Sequence, residues 1–463
     1  MKRRSTLAIL LAGVIAAAST APGQPASAQD SGTARQPRTP IEHFIVLMQE
    51  NHSFDNYFGT YPGADGIPDG TCMPIGPSRP AKRPGQSCVR PFHLRAAPEL
   101  VHDRRTQQIQ YASGRMDGFV RGASADRQNV ERAVMGYYDD RDVPFYWNVA
   151  HDYVLFDRFF AAAPDGSVAN HLFWVTGTPG PSSGAAGENA FSQQDLGDLS
   201  TIFDRLEERG ISWKFYVQDY DPPLGEGAGN TADSVQSVRV PLLAYSRYRN
   251  DPRLFSHIAD LDQYYEDLET GRLPAVAYIA PAGASEHPPG RLQAGQTLVR
   301  TLITALARSG AWDSSAFMWT YDEWGGWFDH VRPPRVDGAS YGFRVPALLV
   351  SAYARRDYVD STQLDTTSIL RFIEDNWALE PLAGRDARAN SFGRAFDFSR
   401  PPREPTITAA ARPAPAASEP HRIGIYLAYG AAVVLTLVLI GLGALPRSRR
   451  RRRRAGSDRA GVR

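Results

Sequence analysis

The run Phe44-Ile45-Val46-Leu47-Met48 is apolar throughout, and it leads directly into the polar stretch Gln49-Glu50-Asn51-His52-Ser53. Five apolar residues in succession are typical of a strand that is buried on both faces of a sheet. The same arrangement recurs further along the chain: residues 153–160 lead to Ser167, residues 275–280 lead to His287, and residues 316–321 lead to Asp322 and Glu323. Residues 345–350 form another candidate for a buried strand.

Segments with helical spacing separate these runs. Residues 201–209 follow Ser200, a suitable N-cap, and precede Gly210, which favours the end of a helix. Residues 297–307 and 367–377 also carry apolar side chains at helical intervals. Strands that alternate with helices predict an α/β fold, in which a mostly parallel sheet is flanked by helices.

Polar residues that follow the strands of a parallel sheet meet at one edge, beyond the carboxyl ends of the strands. Carboxylate and amide oxygens at this edge would suit a hard divalent cation. A nearby hydroxyl could act as a nucleophile, and histidines could bind phosphate oxygens or protonate a leaving group. For each residue alone, a structural role in a turn or cap is the alternative. Together they indicate a hydrolytic metal site, with these residues at the edge: Glu50, Asn51, Ser167, His287, Asp322 and Glu323.

Both ends of the chain carry patterns of membrane targeting. Residues 1–29 predict a signal peptide, because basic residues at 2–4 precede apolar residues 7–18 and the small residues Ala26-Ser27-Ala28. An uncleaved anchor is the alternative. Residues 423–445 contain no charge and are long enough to span a bilayer, and arginines follow at 447 and 449–454. A buried core helix is the alternative for this segment.

These patterns predict a single-pass membrane protein. An ectodomain at residues 30–400 would lie outside the cell, followed by a Pro/Ala-rich stalk at 401–422, a transmembrane helix at 423–445 and a basic cytoplasmic tail at 446–463. The formal net charge is +1, but residues 1–29 carry +3 and residues 422–463 carry +9, which leaves −11 for residues 30–421. An ectodomain this acidic is a poor candidate for nucleic-acid binding.

The chain has two cysteines, Cys72 and Cys88, in one loop that is rich in proline and glycine. An exported protein folds in an oxidising compartment, so we predict a disulfide between them. Two free thiols or a pair of metal ligands are the alternatives, although two ligands alone seldom make a metal site.

In the polar segments that follow the predicted strands, the chain resembles the bacterial phosphoesterase family of phospholipases C and acid phosphatases. This family is part of the alkaline-phosphatase-like superfamily. The stretch Glu50-Asn51-His52-Ser53-Phe54-Asp55 is similar to the family signature Glu-Asn-Arg-Ser-Phe-Asp, with His52 in place of the arginine. Similar blocks follow in order at residues 114–119, 135–138, 144–147, 285–289, 321–334 and 341–346. The resemblance extends over residues 41–397, which is nearly the whole predicted ectodomain.

The resemblance implies an alkaline-phosphatase-like fold that binds a divalent metal ion and uses a hydroxyl nucleophile that becomes phosphorylated. The residues that match the metal ligands are Glu50, Asn51, Asp322 and Glu323. Those that match active-site histidines are His102, His287 and His330. The ligand types do not identify the ion, since Ca²⁺, Mg²⁺, Mn²⁺ and Zn²⁺ all accept such ligands.

The block that resembles the nucleophile region departs from the family pattern. That pattern has a threonine or serine, then two residues, then asparagine and arginine, with a proline before the asparagine. Ser167 keeps the hydroxyl and Asn170 keeps its spacing, but Ala169 replaces the proline and His171 replaces the arginine. We therefore expect Ser167 to be the nucleophile, and Asn170 and His171 to bind substrate.

The sequence thus predicts a metal-dependent hydrolase of phosphate esters at the surface of a bacterial cell. Its partners would be a phosphate ester, either a phospholipid head group or a phosphomonoester, and the membrane itself through the C-terminal helix. Phospholipase C-like and acid phosphatase-like reactions are both compatible with Ser167. A catalytically impaired surface binding protein on the same fold is the alternative. A sulfatase is disfavoured, because neither Cys72 nor Cys88 lies in a sulfatase-type motif.

Overall fold

A computed structural model of the chain describes residues 36–76, 88–124, 132–164, 166–180, 196–220, 238–336 and 339–406. The predicted signal peptide, transmembrane helix and cytoplasmic tail lie outside these ranges, as do residues 407–422 of the predicted stalk. Among the residues that are described, no helix is both long enough and apolar enough to cross a membrane.

The strands of the described ranges vary from two to seven residues in length. In chain order they are β1 (His43–Gln49), β2 (Met73–Pro74), β3 (Cys88–Val89), β4 (Phe92–His93), β5 (Gly136–Tyr137), β6 (Val154–Phe156), β7 (Phe159–Phe160), β8 (Trp213–Val217), β9 (Ile258–Asp260), β10 (Val276–Ala280), β11 (Ser315–Tyr321), β12 (Arg335–Val336), β13 (Ala339–Ser340), β14 (Ala347–Ser351), β15 (Tyr358–Asp360) and β16 (Leu364–Asp365).

One eight-stranded sheet organises the structure, with the strand order β15-β6-β14-β11-β1-β10-β8-β9. Strand β1 pairs in parallel with both β10 and β11, and β8 and β9 continue in the same direction. Within this sheet β14 runs opposite to the other seven strands, because it pairs antiparallel with β11 and with β6. The predicted α/β fold with a mostly parallel sheet is therefore confirmed.

The α-helices of the described ranges are mostly short. They are α1 (Phe54–Phe58), α2 (Arg104–Tyr111), α3 (Phe119–Ser124), α4 (Pro144–Asp152), α5 (Ser167–Thr176), α6 (Ile202–Glu208), α7 (Ser246–Asn250), α8 (Pro252–Phe255), α9 (Asp262–Glu269), α10 (Leu292–Arg308) and α11 (Thr366–Trp377).

Helices cover both faces of the sheet. On one face, the ring of Phe44 in β1 lies 4.6 Å, centroid to centroid, from Phe372 in the helix Thr366–Trp377. Leu47 lies three positions further along β1 and therefore points to the opposite face. Its register neighbour in β11, Trp319, lies 5.4 Å from Tyr146 in the helix Pro144–Asp152. The strand β1 is consequently buried on both sides, as its apolar run predicts.

Two local predictions were wrong in detail. Residues 153–160 form two strands, because the carbonyl of Asp157 accepts a hydrogen bond from the buried Arg344 at 2.7 Å and the chain turns there. Strand β7 then pairs with β16, outside the main sheet. The helix predicted at 201–209 is capped by Thr201 rather than Ser200, because Thr201 and Asp204 form a reciprocal capping box.

The predicted disulfide between Cys72 and Cys88 is present. The disulfide lies beside the short antiparallel pair β2 and β3. In this pair Pro74 and Cys88 are register neighbours.

Candidate active site

Three neighbouring strands, β10, β1 and β11, deliver polar residues to one edge of the sheet. Gln49, the last residue of β1, is in register with Tyr321, the last residue of β11. The N–H of Asp322 donates to the carbonyl of Gln49 at 3.0 Å, and the N–H of Glu50 donates to the carbonyl of Ser285 at 3.0 Å. These two hydrogen bonds join the loops that follow the three strands.

Asn51 and Asp322 are joined directly. The N–H of Asn51 donates to Asp322 Oδ1 at 3.0 Å, and the N–H of Glu323 donates to the same oxygen at 2.7 Å. Asn51 has a φ of 65°, in the left-handed region that asparagine tolerates better than most residues. Gly325 packs against it so closely that a Cβ at this position would lie 2.2 Å from the Asn51 carbonyl oxygen. The four predicted metal ligands therefore come from two loops in contact.

Two oxygens at this contact are buried without a hydrogen-bond partner, Asn51 Oδ1 and Asp322 Oδ2. Burial and the nearby charge of Glu50 raise the pKa of Asp322, although His171 and the Ser167 side chain act in the opposite direction. Buried polar oxygens without partners destabilise a fold, and these oxygen types are the ligands that hard divalent cations prefer. The residues present therefore fit the divalent ion that the sequence predicts.

The third predicted ligand, Glu50, is paired with a protein cation. Both carboxylate oxygens of Glu50 accept hydrogen bonds from the guanidinium of Arg239, and Nη2 lies 3.2 Å from Oε2. Burial would raise the pKa of Glu50, but Arg239, together with His171 and His287, lowers it below its usual value. Arg239 was not among the predicted site residues, because no motif surrounds it in the sequence.

Two of the predicted active-site histidines, His102 and His287, lie close together, with 5.9 Å between their ring centroids. The Nδ1 of His102 donates to the carbonyl of Leu100 at 2.7 Å, which leaves the lone pair of the neutral ring on Nε2. This Nε2 is 3.4 Å from Asn51 Nδ2 and 3.7 Å from Glu323 Oε1. The Nδ1 of His287 likewise contacts the carbonyl of Pro288, at 2.8 Å.

Ser167, the predicted nucleophile, is the first residue of α5 and follows Gly166, whose φ is 80°. Its carbonyl accepts a hydrogen bond from Nδ1 of His171 at 2.9 Å, and this Nδ1 lies 4.0 Å from Asp322 Oδ2. The side chains of Ser167 and His171 are almost completely buried. The structure thus places the start of α5 against Asp322.

The side chain of Asn170 contacts the turn before Ser167. Its Oδ1 accepts from the N–H of Ala163 at 2.8 Å, and its Nδ2 donates to the carbonyl of Gly166 at 3.1 Å. These contacts position the turn that presents Ser167. The predicted contact of Asn170 with substrate stays a prediction, as do the roles of the other site residues.

His330 belongs to a neighbouring network of buried charges. Its ring nitrogens lie 2.7 Å from Asp55 Oδ2 and 3.2 Å from Asp65 Oδ1. Arg344 pairs with Asp55 at 3.0 Å and with Asp329 at 3.0 Å. Burial lowers the pKa of His330, but the hydrogen bond to Asp55 and the charges of Asp55 and Asp329 together outweigh burial, so the pKa is raised. The ring of His330 forms its hydrogen bonds with members of this network. A catalytic role for His330 stays a prediction.

Glu286, just before His287, was also not predicted. Its carboxyl accepts hydrogen bonds from the hydroxyls of Tyr57 at 2.6 Å, Tyr146 at 2.5 Å and Tyr321 at 2.6 Å. Burial raises its pKa to about 7, although the three hydroxyls act to lower it. Only His287 was predicted as a site residue in the block 285–289. The role of Glu286 could not be predicted there, because its three tyrosine partners come from other parts of the chain. The carboxyl fixes the main chain beside His287, because it links this loop to β11 and to two helices.

Among the described residues, His93, Asp139 and Asp142 form a group of metal-type ligands whose ligand atoms lie within 4.8 Å of one another, whereas the carboxylates of Glu50, Asp322 and Glu323 are not gathered this closely. These atoms already have protein partners. His93 Nε2 is 2.6 Å from Asp142 Oδ2, and Nε of Arg141 lies 2.8 and 3.0 Å from the two oxygens of Asp139. A cation from the chain supplies the charge here, so the group is explained as an ion network.

The structure thus combines a mostly parallel α/β sheet with a group of carboxyl, amide and imidazole side chains beyond the ends of its strands. The sequence model of the Phosphoesterase family matches residues 41–380, and the chain belongs to the phosphoesterase family. This confirms the family that the sequence motifs indicated.

Individual relatives include enzymes named as phospholipases C. The chain is 29% identical over 441 residues to "Non-hemolytic phospholipase C" of Burkholderia pseudomallei, which covers 80% of this chain and 60% of that protein. It is 28% identical over 419 residues to "Phospholipase C A" of Mycobacterium tuberculosis, which covers 79% of this chain and 78% of that protein. The chain therefore spans about three fifths of the length of the Burkholderia relative.

Among solved structures, a protein of the alkaline phosphatase superfamily from Vibrio parahaemolyticus matches with a TM-score of 0.37 and 14% identity, over 76% of this chain and 72% of that chain.

Proposed function

We propose that the protein is a metal-dependent hydrolase of phosphate esters that uses Ser167 as its nucleophile and acts at the cell surface. One observation carries the proposal: Asp322, which accepts the N–H of Asn51 and has a buried Oδ2, places that oxygen 4.0 Å from His171 Nδ1 in the helix that begins at Ser167. Membership of the phosphoesterase family and relatives named as phospholipases C support the reaction class.

Glu50, Asn51, Asp322 and Glu323 would hold the divalent ion, which when bound supplies positive charge and lowers the pKa of a neighbouring hydroxyl. Ser167 Oγ gives up its proton to a neutral histidine at the same edge and forms a bond to phosphorus, while the bond from phosphorus to the leaving oxygen breaks and that oxygen takes up a proton. Water hydrolyses the resulting phosphoserine, so the serine hydroxyl is regenerated and the phosphate product is released.

Histidines at the same edge would carry the protons. In the neutral ring of His102 the lone pair is on Nε2, and when protonated this nitrogen can donate to the leaving oxygen. His287, which lies 5.9 Å from His102, is the second candidate for this task. The N-terminus of α5 adds the positive end of a helix dipole near the attacked phosphate.

The location at the cell surface rests on the signal peptide and transmembrane helix predicted at residues 1–29 and 423–445. A phosphodiester substrate is favoured by the names of the relatives, whereas the site residues themselves suit monoesters and diesters equally.

The test is a paired assay of the full-length, detergent-solubilised protein on p-nitrophenyl phosphate and p-nitrophenyl phosphorylcholine, with analysis of bound metal. We expect turnover of at least one substrate, its loss on treatment with EDTA, and its recovery when one divalent ion is restored. A folded, metal-loaded protein that hydrolyses neither substrate would favour a surface binding protein on this fold.

A further inference from the structure

The guanidinium of Arg239 is fully engaged at the edge of the sheet. Besides both oxygens of Glu50, it contacts the loop that follows β10: Nη2 lies 3.2 Å from Ser285 Oγ, and Nη1 donates to the carbonyl of Ala282 at 3.2 Å. Only 14% of the side chain is exposed. Arg239 is thus built into the site.

The pairing has an electrostatic reason. Glu50 and Asp322 follow adjacent parallel strands, and two buried carboxylates at one edge need a counter-charge. Arg239 supplies it for Glu50, whereas Asp322 Oδ2 lies 4.0 Å from the imidazole Nδ1 of His171, which donates its hydrogen bond to the Ser167 carbonyl. The two hydrogen bonds from Arg239 occupy both oxygens of a carboxylate that the proposed function assigns to a metal ion.

We propose that Arg239 is the resident counter-ion of Glu50 in the metal-free protein, and that it exchanges Glu50 for the phosphate oxygens of the substrate when Glu50 becomes a metal ligand. The second half of this statement rests on the proposed function. The planar guanidinium binds phosphate with the same two-pronged geometry as carboxylate. Position 171 in helix α5, where the family pattern has an arginine, is a histidine. The helix contains no arginine that could supply a guanidinium to the phosphate.

The proposal makes two opposite predictions for one substitution. A metal ion that binds Glu50 must compete with Arg239, so removal of the guanidinium should strengthen metal binding. The same change should weaken phosphate binding to the metal-loaded protein, because a two-pronged donor is lost. If Arg239 only stabilised the fold, neither affinity would change in this pattern.

The experiment uses full-length protein in detergent, stripped with EDTA and titrated with Mn²⁺ by calorimetry. We expect Arg239→Gln to bind Mn²⁺ about tenfold more tightly than the wild type, as loss of one charge-assisted competitor implies. Arg239→Lys keeps the charge but loses the fork, and should lie between the two. The matched control is Arg247→Gln, because Arg247 makes a comparable two-pronged pair with Asp204, at 3.0 and 2.6 Å, in a part of the fold away from the strand ends.

Inorganic phosphate is then titrated into each Mn²⁺-loaded protein. We expect its dissociation constant to rise about tenfold in Arg239→Gln and to stay unchanged in Arg247→Gln. Mn²⁺ binding by Arg239→Gln that equals or falls below that of the wild type, or no Mn²⁺ binding by either protein, overturns the exchange. Unchanged phosphate affinity overturns its second half.

Neither titration measures turnover, so a protein without phosphoesterase activity would disprove the proposed function and still leave the exchange open to both readouts. If Arg239→Gln does not fold, Arg239→Lys must show tighter Mn²⁺ binding than the wild type for the proposal to stand.

Discussion

The Nδ1 of His171 donates a hydrogen bond to the carbonyl oxygen of Ser167, one helical turn earlier, at 2.9 Å. In the neutral imidazole this bond keeps the proton on Nδ1 and the lone pair on Nε2. It also fixes the ring relative to the first residue of α5, so the two groups expected to meet the phosphate move together. Substitution of His171 should therefore also affect the position of Ser167.

Ser167→Ala should abolish turnover and leave the fold intact, because the hydroxyl is small and lies at the start of a helix. We expect kcat to fall at least ~10³-fold, about 4 kcal/mol of barrier, and Ser167→Thr to retain part of the activity. Acid-quenched wild-type protein should carry phosphate on Ser167 by mass spectrometry. Wild-type rates in Ser167→Ala on both p-nitrophenyl substrates would show that another group is the nucleophile.

Asp322→Asn should lower metal content and activity together, since it removes the charge of a buried carboxyl at the joint between two loops. The amide can still accept the hydrogen bond from Asn51, so the fold should survive. The control is Asp142→Asn, in the ion network with His93, which should leave the metal content unchanged. Metal analysis after gel filtration decides, and full occupancy in Asp322→Asn would remove this residue from the ligand set.

Gly325→Ala should disturb Asn51, because the added Cβ would meet the Asn51 carbonyl at 2.2 Å and Gly325 has a φ of 61°. We expect a loss of about 2 kcal/mol or more of stability, together with weaker metal binding. Gly310→Ala is the matched control, since its Cβ would enter open space. Equal melting temperatures for the two variants would contradict the close packing at Asn51.

Glu286→Gln should change how stability depends on pH. The pKa of Glu286 is raised to about 7 in the folded protein, so the folded state holds this proton more tightly than the unfolded chain does. The stability from the protonated carboxyl is fully present below about pH 4.5 and is lost as pH rises through about 7, by about 3 kcal/mol. Glutamine has no proton to lose.

The measurement for Glu286→Gln is the difference in unfolding free energy between variant and wild type, by urea at pH 5 and pH 8. We expect the variant to gain relative to the wild type as pH rises. Other groups, such as His52 with its pKa lowered to about 4 by burial, cancel in this difference. A difference that does not vary with pH would mean that Glu286 does not titrate in this range.

Protease added to intact cells should release a fragment that spans about residues 29–421, because the predicted signal peptide and arginine-flanked span place residues 30–400 outside. A C-terminal tag should remain protected until the cells are lysed. Complete protection of the body of the protein would reverse the predicted topology.

The strands that carry the site could be predicted, because β1, β10 and β11 are mostly apolar segments of strand length, each followed within a few residues by polar side chains. The antiparallel direction of β14 could not, since an apolar run looks the same in either direction. Strand β8 was not predicted because Lys214 interrupts its apolar pattern, and Lys214 is held there by an ion pair with Asp267 at 2.5 Å.

The site followed the same division. The position of four predicted ligands could be anticipated, because Glu50, Asn51, Asp322 and Glu323 immediately follow two strands of one sheet, while their role as ligands stays a prediction. Arg239 was not, because it reaches Glu50 across 189 positions of sequence from a segment without a recognisable motif. Glu286 lies in the block 285–289, which resembles the family. Its contacts with three tyrosines could not be predicted, because only the fold brings those tyrosines close to it. Contacts of this kind depend on tertiary structure, which local patterns do not encode.

The position of β1 in the sheet also bears on the order in which the chain can fold. Among the strands that the structure describes it is the first to leave the ribosome, yet both of its neighbours are made much later, beginning at Val276 and Ser315. Until Ala280 has been synthesised both edges of β1 are unpaired, and one edge stays unpaired until Tyr321 has been made, which leaves an apolar strand open to aggregation. The nascent chain therefore needs protection over most of its translation, and any fragment that ends before β11 should be insoluble rather than partly active.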